Sequence, residues 1–215
     1  VKLYTYFRSS AAYRVRIVLG LKGLAWEPGF VHMLRGGGEQ HLPAYRAVNP
    51  QGLVPALETE GAVLAQSTAI CEYLEERYPE PPLLPRDLKA RAYVRAVMGA
   101  VACEIHPLNN LRVLKHLTGK LGVGEDAKLA WYRHWIADGF RGLEALIASS
   151  GRAGSFALDA SPTLADAFIV PQVYNARRFD CPLTDYPNIV RIAESCSAHP
   201  AFQAASPEKQ PDAGD

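Results

Sequence analysis

Pro79, Pro81, Pro82 and Pro85 crowd a seven-residue stretch that neither a helix nor a sheet strand can cross. The patterning changes there. Before it, short apolar and aromatic runs bounded by Gly and Pro alternate with helical spacing; beyond it, strand signals vanish. The chain therefore reads as two domains, an α/β unit over residues 1–82 and an all-helical unit over 88–215.

In the first part, Lys2 to Phe7 predicts a strand and Ala11 to Leu21 a helix, with Val15, Val18 and Leu19 on its apolar face. Trp26 to Val31 suits a second strand. A glycine loop, Arg35 to Glu39, leads into a short irregular or helical segment, His41 to Val48. Strands follow at about Val54–Glu58 and Ala62–Ala65, then a helix over Ser67–Tyr78. This order makes a small unit with parallel and antiparallel strands mixed, not a doubly wound sheet. In the second part, Val94, Val97, Met98, Val101 and Ile105 predict one long helix from Asp87 to about Leu117, kinked at Pro107. Trp131, Trp135, Phe140, Leu143 and Ile147 mark another. Thr163 and Asp166 form a capping box for a third, and Pro187 starts a fourth. The polar tail from Pro207 to Asp215 reads as loose.

With 215 residues, 48% apolar and 21% charged, the chain can bury a sizeable core, and a net charge of +1 gives no basic excess for nucleic acid. Cys71, Cys103, Cys181 and Cys196 lack metal or disulfide spacing, so free thiols in a reducing cytosol are expected. VKLYTYF is a strand, not a leader, and no run approaches a membrane span. A cytoplasmic protein follows. The histidines show no metal spacing, and Gly36-Gly37-Gly38 lacks the lysine and helix of a phosphate loop.

Three places can carry chemistry. In Asn49–Ile70, Pro55 interrupts a strand pattern where it cannot donate a ladder bond; a cis Val54–Pro55 bond would offer the Val54 main chain to an extended ligand. Ser67 then opens a helix whose first N–H groups suit a carboxylate. An ordinary proline turn and a serine cap explain the same residues. Second, Ser9 and Ser10 lie between strand and helix, where a hydroxyl either caps the helix or donates to an anionic ligand atom, and Arg8 either binds a carboxylate or makes a surface ion pair. Third, Glu104 to Arg112 packs His106, Asn109, Asn110 and Arg112 around Pro107. Such polar density either lines a cleft for an acidic substrate or satisfies the kinked backbone. His106 and Asn110 share a helical face, from which Arg112 departs unless the kink redirects it. Arg177 and Arg178 form a further basic pair, by default a solvated face.

The segments YFRSSAAYRVRIVLGLKG, NPQGLVPAL, Gln66-Ser67-Thr-Ala-Ile, EIHPLNNLRVL and NARRF occur in the order and at the separations of the zeta-class glutathione S-transferase family. The chain resembles that family over essentially its whole length, most closely its bacterial maleylacetoacetate isomerases. The resemblance implies a thioredoxin-like glutathione-binding domain, an all-α domain completing the substrate site, and a cytosolic homodimer. It implies Ser9, with Ser10 nearby, at the glutathione thiolate, Val54 ahead of cis Pro55 at the cysteinyl backbone, and Gln66 and Ser67 at the γ-glutamyl group. Gln51, His41 and Asn110 would lie along the peptide, while Arg8, His106, Asn110, Arg112 and Arg178 match positions facing substrate carboxylates.

The implied activity is glutathione-dependent cis–trans isomerisation of maleylacetoacetate, with maleylpyruvate as the alternative substrate. The family's cysteine after the two serines is Ala11 here, as in relatives acting on maleylpyruvate, so the substrate stays open. A transferase for small haloacids and a non-catalytic scaffold are the competing classes. Three arginines fit a doubly anionic substrate better than a bulky apolar electrophile.

Overall fold

The first strand, β1 (Lys2–Thr5), lies inside a four-stranded sheet of order β2-β1-β3-β4 in the computed structural model, which describes residues 1–214. β2 (Glu27–Phe30) runs parallel to β1, with Lys2 opposite Glu27. β3 (Ala56–Thr59) and β4 (Ala62–Ala65) complete it in antiparallel register, joined by a turn in which Glu60 and Gly61 have φ of 49° and 77°. Two positive φ values in a two-residue loop match the twist of the flanking strands. The mixed sheet is as expected, but β3 begins at Ala56 rather than Val54. Pro55 has no N–H for the ladder, and the Val54–Pro55 bond is cis.

α1 (Ser10–Leu21) packs against α3 (Ser67–Arg77), which follows β4, and α2 (Pro43–Val48) is short. The expected apolar face of α1 is present, yet Arg14 and Arg16 are also buried, each 2% exposed. Buried Lys22 Nζ meets Glu75 at 2.5 Å and the Pro81 carbonyl at 2.6 Å, and Glu75 accepts the Leu83 N–H. A buried ion pair adds little net stability, but here its spare oxygens fasten the proline-rich segment. Contacts separate the chain within that segment, into Val1–Leu83 with the residues from Ser197 onward, and Leu84–Cys196.

The return of the C-terminus to the first unit differs from the sequence expectation, which placed it in the helical domain as a loose tail. α9 (Pro200–Ala205) packs on α1: a Cβ on Gly20 would stand 3.2 Å from that of Ala201. Helical turns at Pro207–Lys209 and Pro211–Gly214 follow, burying Gln210 and Asp212.

The second unit holds α4 (Leu88–Gly99), α5 (Leu111–Gly119), α6 (Glu125–Ser150), α7 (Leu164–Arg178) and α8 (Pro187–Ser197). The single helix expected from Asp87 to Leu117 is divided. A π-helical turn, Ala100–Ile105, passes into a 3-10 turn, His106–Asn109, and Asn110 leaves helical geometry at ψ 145°. Pro107 cannot continue the α ladder, and Ile105 packs where a Cβ on Gly139 of α6 would stand. The capping box of α7 is formed. All four cysteines are free, and burial pushes the Cys71 thiol up to about 12. Among the described residues no helix is long and apolar enough to cross a membrane, and no cluster of His, Cys, Asp and Glu offers a metal site.

Candidate active site

In the first unit, Ser9 is the N-cap of α1, and its Oγ accepts the Ala12 N–H at 3.2 Å. That bond uses a lone pair and leaves the hydroxyl proton free to donate, so capping and anion binding are compatible roles for one side chain. Ser10 is buried in the first turn, which leaves Ser9 as the hydroxyl at the accessible end. Arg8 is exposed with its guanidinium 4.8 Å from the Phe7 ring centroid, and it has no carboxylate partner among the described residues. The ion-pair reading of Arg8 is not what the structure shows.

The chain entering Pro55 is fixed by its carbonyls. Tyr45 Oη and Asn49 Nδ2 both donate to the Leu53 carbonyl at 2.7 Å, and Asn49 Oδ1 accepts the Gln51 N–H at 3.1 Å. Gly52 has φ 61°, and any Cβ there would meet Arg46 at 2.8 Å. No hydrogen bond among the described residues uses the Val54 N–H or carbonyl, so that main chain can pair with an extended ligand.

Gln66 precedes α3 at φ 71° and ψ 117°, a strained conformation for a residue with a Cβ, and no side chain caps the helix. Its Nε2 donates to Gln51 Oε1 at 2.7 Å, joining two positions fifteen residues apart. Ser67 is buried, and its Oγ accepts from Arg14 Nη1 at 3.1 Å. Arg14 is a site residue that sequence reasoning missed. Its signal was available: α1 is apolar on every side, so an arginine in its middle must be buried and must serve a partner. His41 is exposed, with Nε2 3.2 Å from Gln40 Nε2, and meets none of the other predicted ligand residues through a hydrogen bond.

In the second unit, the broken helix brings three predicted residues together. Asn110 Nδ2 lies 3.3 Å from His106 Nε2, and Asn110 Oδ1 accepts the Arg112 N–H at 3.1 Å, capping α5. Asn109 is buried instead, its Nδ2 on the Tyr132 carbonyl at 3.2 Å. The Tyr132 ring stacks on Phe179 at 3.9 Å, and the Arg178 guanidinium sits 5.1 Å from the Phe179 ring centroid. Tyr132 thus supports both the Asn109 turn and the end of α7. Arg112 and Arg178 are exposed and, like Arg8, lack an acidic partner among the described residues, whereas Arg35, Arg77, Arg133, Arg141 and Arg152 each have one.

Comparison with known proteins agrees with this geometry. The family of N-terminal domains of glutathione S-transferases matches residues 3–82. A probable maleylacetoacetate isomerase of Vibrio cholerae is 49% identical over 98% of this chain and 97% of its own length. A solved holo structure of maleyl pyruvate isomerase, a bacterial transferase of the zeta class, has a TM-score of 0.95 at 47% identity, covering 99% of each chain. The chain belongs to the zeta-class glutathione S-transferases. Another relative of this zeta-class protein, a maleylacetoacetate isomerase from Anaeromyxobacter dehalogenans solved with dicarboxyethyl glutathione and citrate in its active site, is 44% identical with a TM-score of 0.87 over 99% of this chain and 93% of that one.

Proposed function

We propose that this zeta-class protein is a glutathione-dependent cis–trans isomerase of a maleyl-type dicarboxylate, with maleylacetoacetate as substrate, working as a cytoplasmic homodimer. The observation that carries the reading is the turn that presents the Ser9 hydroxyl next to Arg8, an exposed cation without an acidic partner among the described residues. The dicarboxyethyl adduct of the Anaeromyxobacter relative is the kind of molecule such a cation binds.

The residues fit the tripeptide. The uncapped N–H groups of α3, with Gln66 and Gln51, suit its γ-glutamyl carboxylate and amine, and the open Val54 main chain suits its cysteinyl unit. When bound, glutathione supplies a thiolate that adds reversibly to the alkene conjugated with the ketone, so that the former double bond rotates before the thiolate leaves. Ser9 holds that sulfur as an anion by donating its hydroxyl proton, and the α1 N-terminus adds a favourable field. Arg8 binds a substrate carboxylate; Arg112 and Arg178 keep the carboxylate-facing role that the family resemblance implies for their positions. His106 and Asn110 hold the Arg112 backbone and offer donors of their own.

The test is a spectrophotometric comparison of maleylacetoacetate and maleylpyruvate at fixed glutathione. Turnover without loss of glutathione is expected. Ala11 and the 0.95 TM-score to a maleylpyruvate isomerase keep maleylpyruvate as the second reading, and its faster turnover would select it. Net consumption of glutathione would indicate a transferase, and no turnover of either compound would end the isomerase reading. Arg8→Ala should lower kcat/KM for the dicarboxylate by about 100-fold, the loss of one charge-assisted pair, while glutathione affinity stays within about 3-fold. Equal losses in both would remove Arg8 from the substrate role.

A further inference from the structure

The end of the chain and the turn bearing Arg8 and Ser9 meet at Phe7. The Phe7 N–H donates to Asp212 Oδ2 at 2.9 Å in a buried contact spanning 205 residues. The Phe7 carbonyl accepts from Arg16 Nη2 at 3.0 Å, and Arg16 Nη1 reaches the Tyr6 carbonyl at 3.4 Å and Thr5 Oγ1 at 3.1 Å. Arg16 is itself oriented from the C-terminal side, since its Nε donates to the Ala205 carbonyl at 3.0 Å. Both main-chain polar groups of the residue before Arg8 are therefore held by the last helix and its extension. The N–H is held directly, the carbonyl through a buried arginine.

The extension is built to hold. Gln210 Nε2 donates to the Ala204 and Ser206 carbonyls at 2.9 Å each, fixing the turn that presents Asp212. Ala213 packs against the cluster of Tyr6, Phe7, Val31, Tyr45 and Val54, which includes the residue ahead of Pro55. Asp212 is 5% exposed, and its Oδ1 has no hydrogen-bond partner among the described residues. A carboxylate buried with an oxygen to spare is an expensive way to pin a terminus, which apolar residues would do more cheaply. What it alone supplies is a strong acceptor for one main-chain N–H, two residues before the Ser9 cap. The Ser9 N–H in turn closes on the Tyr6 carbonyl at 2.9 Å, so rotation about Phe7 would move Arg8 and Ser9 together.

We propose that Asp212 is a positioning residue for the active site, and that the strap from Ala205 to Ala213 fixes where the Ser9 hydroxyl and the Arg8 guanidinium are presented. This rests on the glutathione-dependent reading above. It also assigns the buried Arg16 as the second anchor of the same turn.

The test compares Asp212→Ala with Asp212→Asn, whose side-chain carbonyl still accepts the Phe7 N–H. In Asp212→Ala, amide exchange at Phe7 and Ser9 should quicken about 10-fold or more while amides of α6 keep their rates. Glutathione affinity should stay within about 3-fold, the bound thiol should titrate at higher pH, and kcat should fall between about 10- and 100-fold, as misplacement of the turn by an ångström or less predicts. Asp212→Asn should recover most of each effect. A merely structural role would lower stability and leave the thiol titration and kcat alone. Unchanged exchange at Phe7 and Ser9, or a wild-type thiol titration and kcat in Asp212→Ala, would overturn the proposal while leaving the isomerase reading intact. Absence of a bound thiolate in the wild-type protein would overturn both. Should Asp212→Ala not fold, Gln210→Ala, which frees the strap from Ala204 and Ser206, carries the same expectations.

Discussion

Asp166→Ala is expected to lower the stability of the protein by about 3–5 kcal/mol, from stranding three donors at about 1–3 kcal/mol for each that stays buried. Asp166 is fully buried, and one of its oxygens accepts both the Thr163 N–H at 2.7 Å and the Thr163 hydroxyl at 2.9 Å. The other accepts the Ala157 N–H at 2.8 Å and lies 3.9 Å from the Cys196 sulfur. Alanine would leave three donors stranded, one of them the N-cap N–H of α7, and would free the 157–163 segment that they tie down. The shift in denaturation midpoint at constant m-value reads the effect; a loss under about 1 kcal/mol would show that water replaces the carboxylate.

The same residue gives a pH dependence. Burial outweighs the hydrogen bonds and lifts the Asp166 carboxyl from 3.8 to about 6. The folded state therefore binds a proton that the unfolded state has released between about pH 4 and 6. The stability contributed by protonated Asp166 is complete below pH 4, is lost as pH rises through 6, and amounts to about 3 kcal/mol. The Cys196 thiol, raised by burial and by Asp166 itself, stays neutral throughout. The stability gap between wild type and Asp166→Asn should accordingly narrow from pH 4 to 6 and be flat from 7 to 8.

Where side-chain type and local pattern decide the outcome, the sequence was legible. A proline flanked by apolar pairs in a strand pattern pointed to the bend at Val54–Pro55, and the Thr163–Asp166 spacing pointed to the start of α7. Reading failed where a polar residue is buried because a distant main-chain group needs it. Asp212 looked like part of a hydrated tail, since the Phe7 N–H that it serves lies 205 residues away. Arg14 and Arg16 were given no role, although both are buried in α1. The continuous helix expected from Asp87 to Leu117 failed for a different reason. Its apolar spacing persists through a π turn and a 3-10 turn, and neither Pro107 nor Ile105 facing Gly139 marks in sequence how the chain winds on. In the candidate site, residue types were legible, whereas the pairs Gln51–Gln66 and Arg14–Ser67 required the fold.

Removing the Ser9 hydroxyl should have the largest effect on activity. Ser9→Ala is expected to lower kcat by about 100- to 1000-fold, the range for losing one donor to a reacting anion, and to cost only about 1 kcal/mol of stability as a lost cap. The two effects separate because the oxygen that caps Ala12 and the proton offered to sulfur are different parts of one group. Ser9→Thr, which keeps both, should retain activity within about 10-fold of wild type. Ser9→Asp keeps an acceptor for the Ala12 N–H but sets a negative charge against the thiolate, so it should fold normally and be the least active of the three. Without the donor, the bound thiol should titrate closer to a free thiol near pH 8.5, so the Ser9→Ala deficit should shrink as pH rises from 7 to 9. A variant that loses its stability increment yet turns over at the wild-type rate at pH 7 would make Ser9 a helix cap and nothing more. The anion would then have to be held by the α1 N-terminus alone, whose field is worth about 0.3–1 kcal/mol at an exposed end, well short of the roughly 3–4 kcal/mol that two or three orders of magnitude of rate require; that shortfall is why the loss is expected.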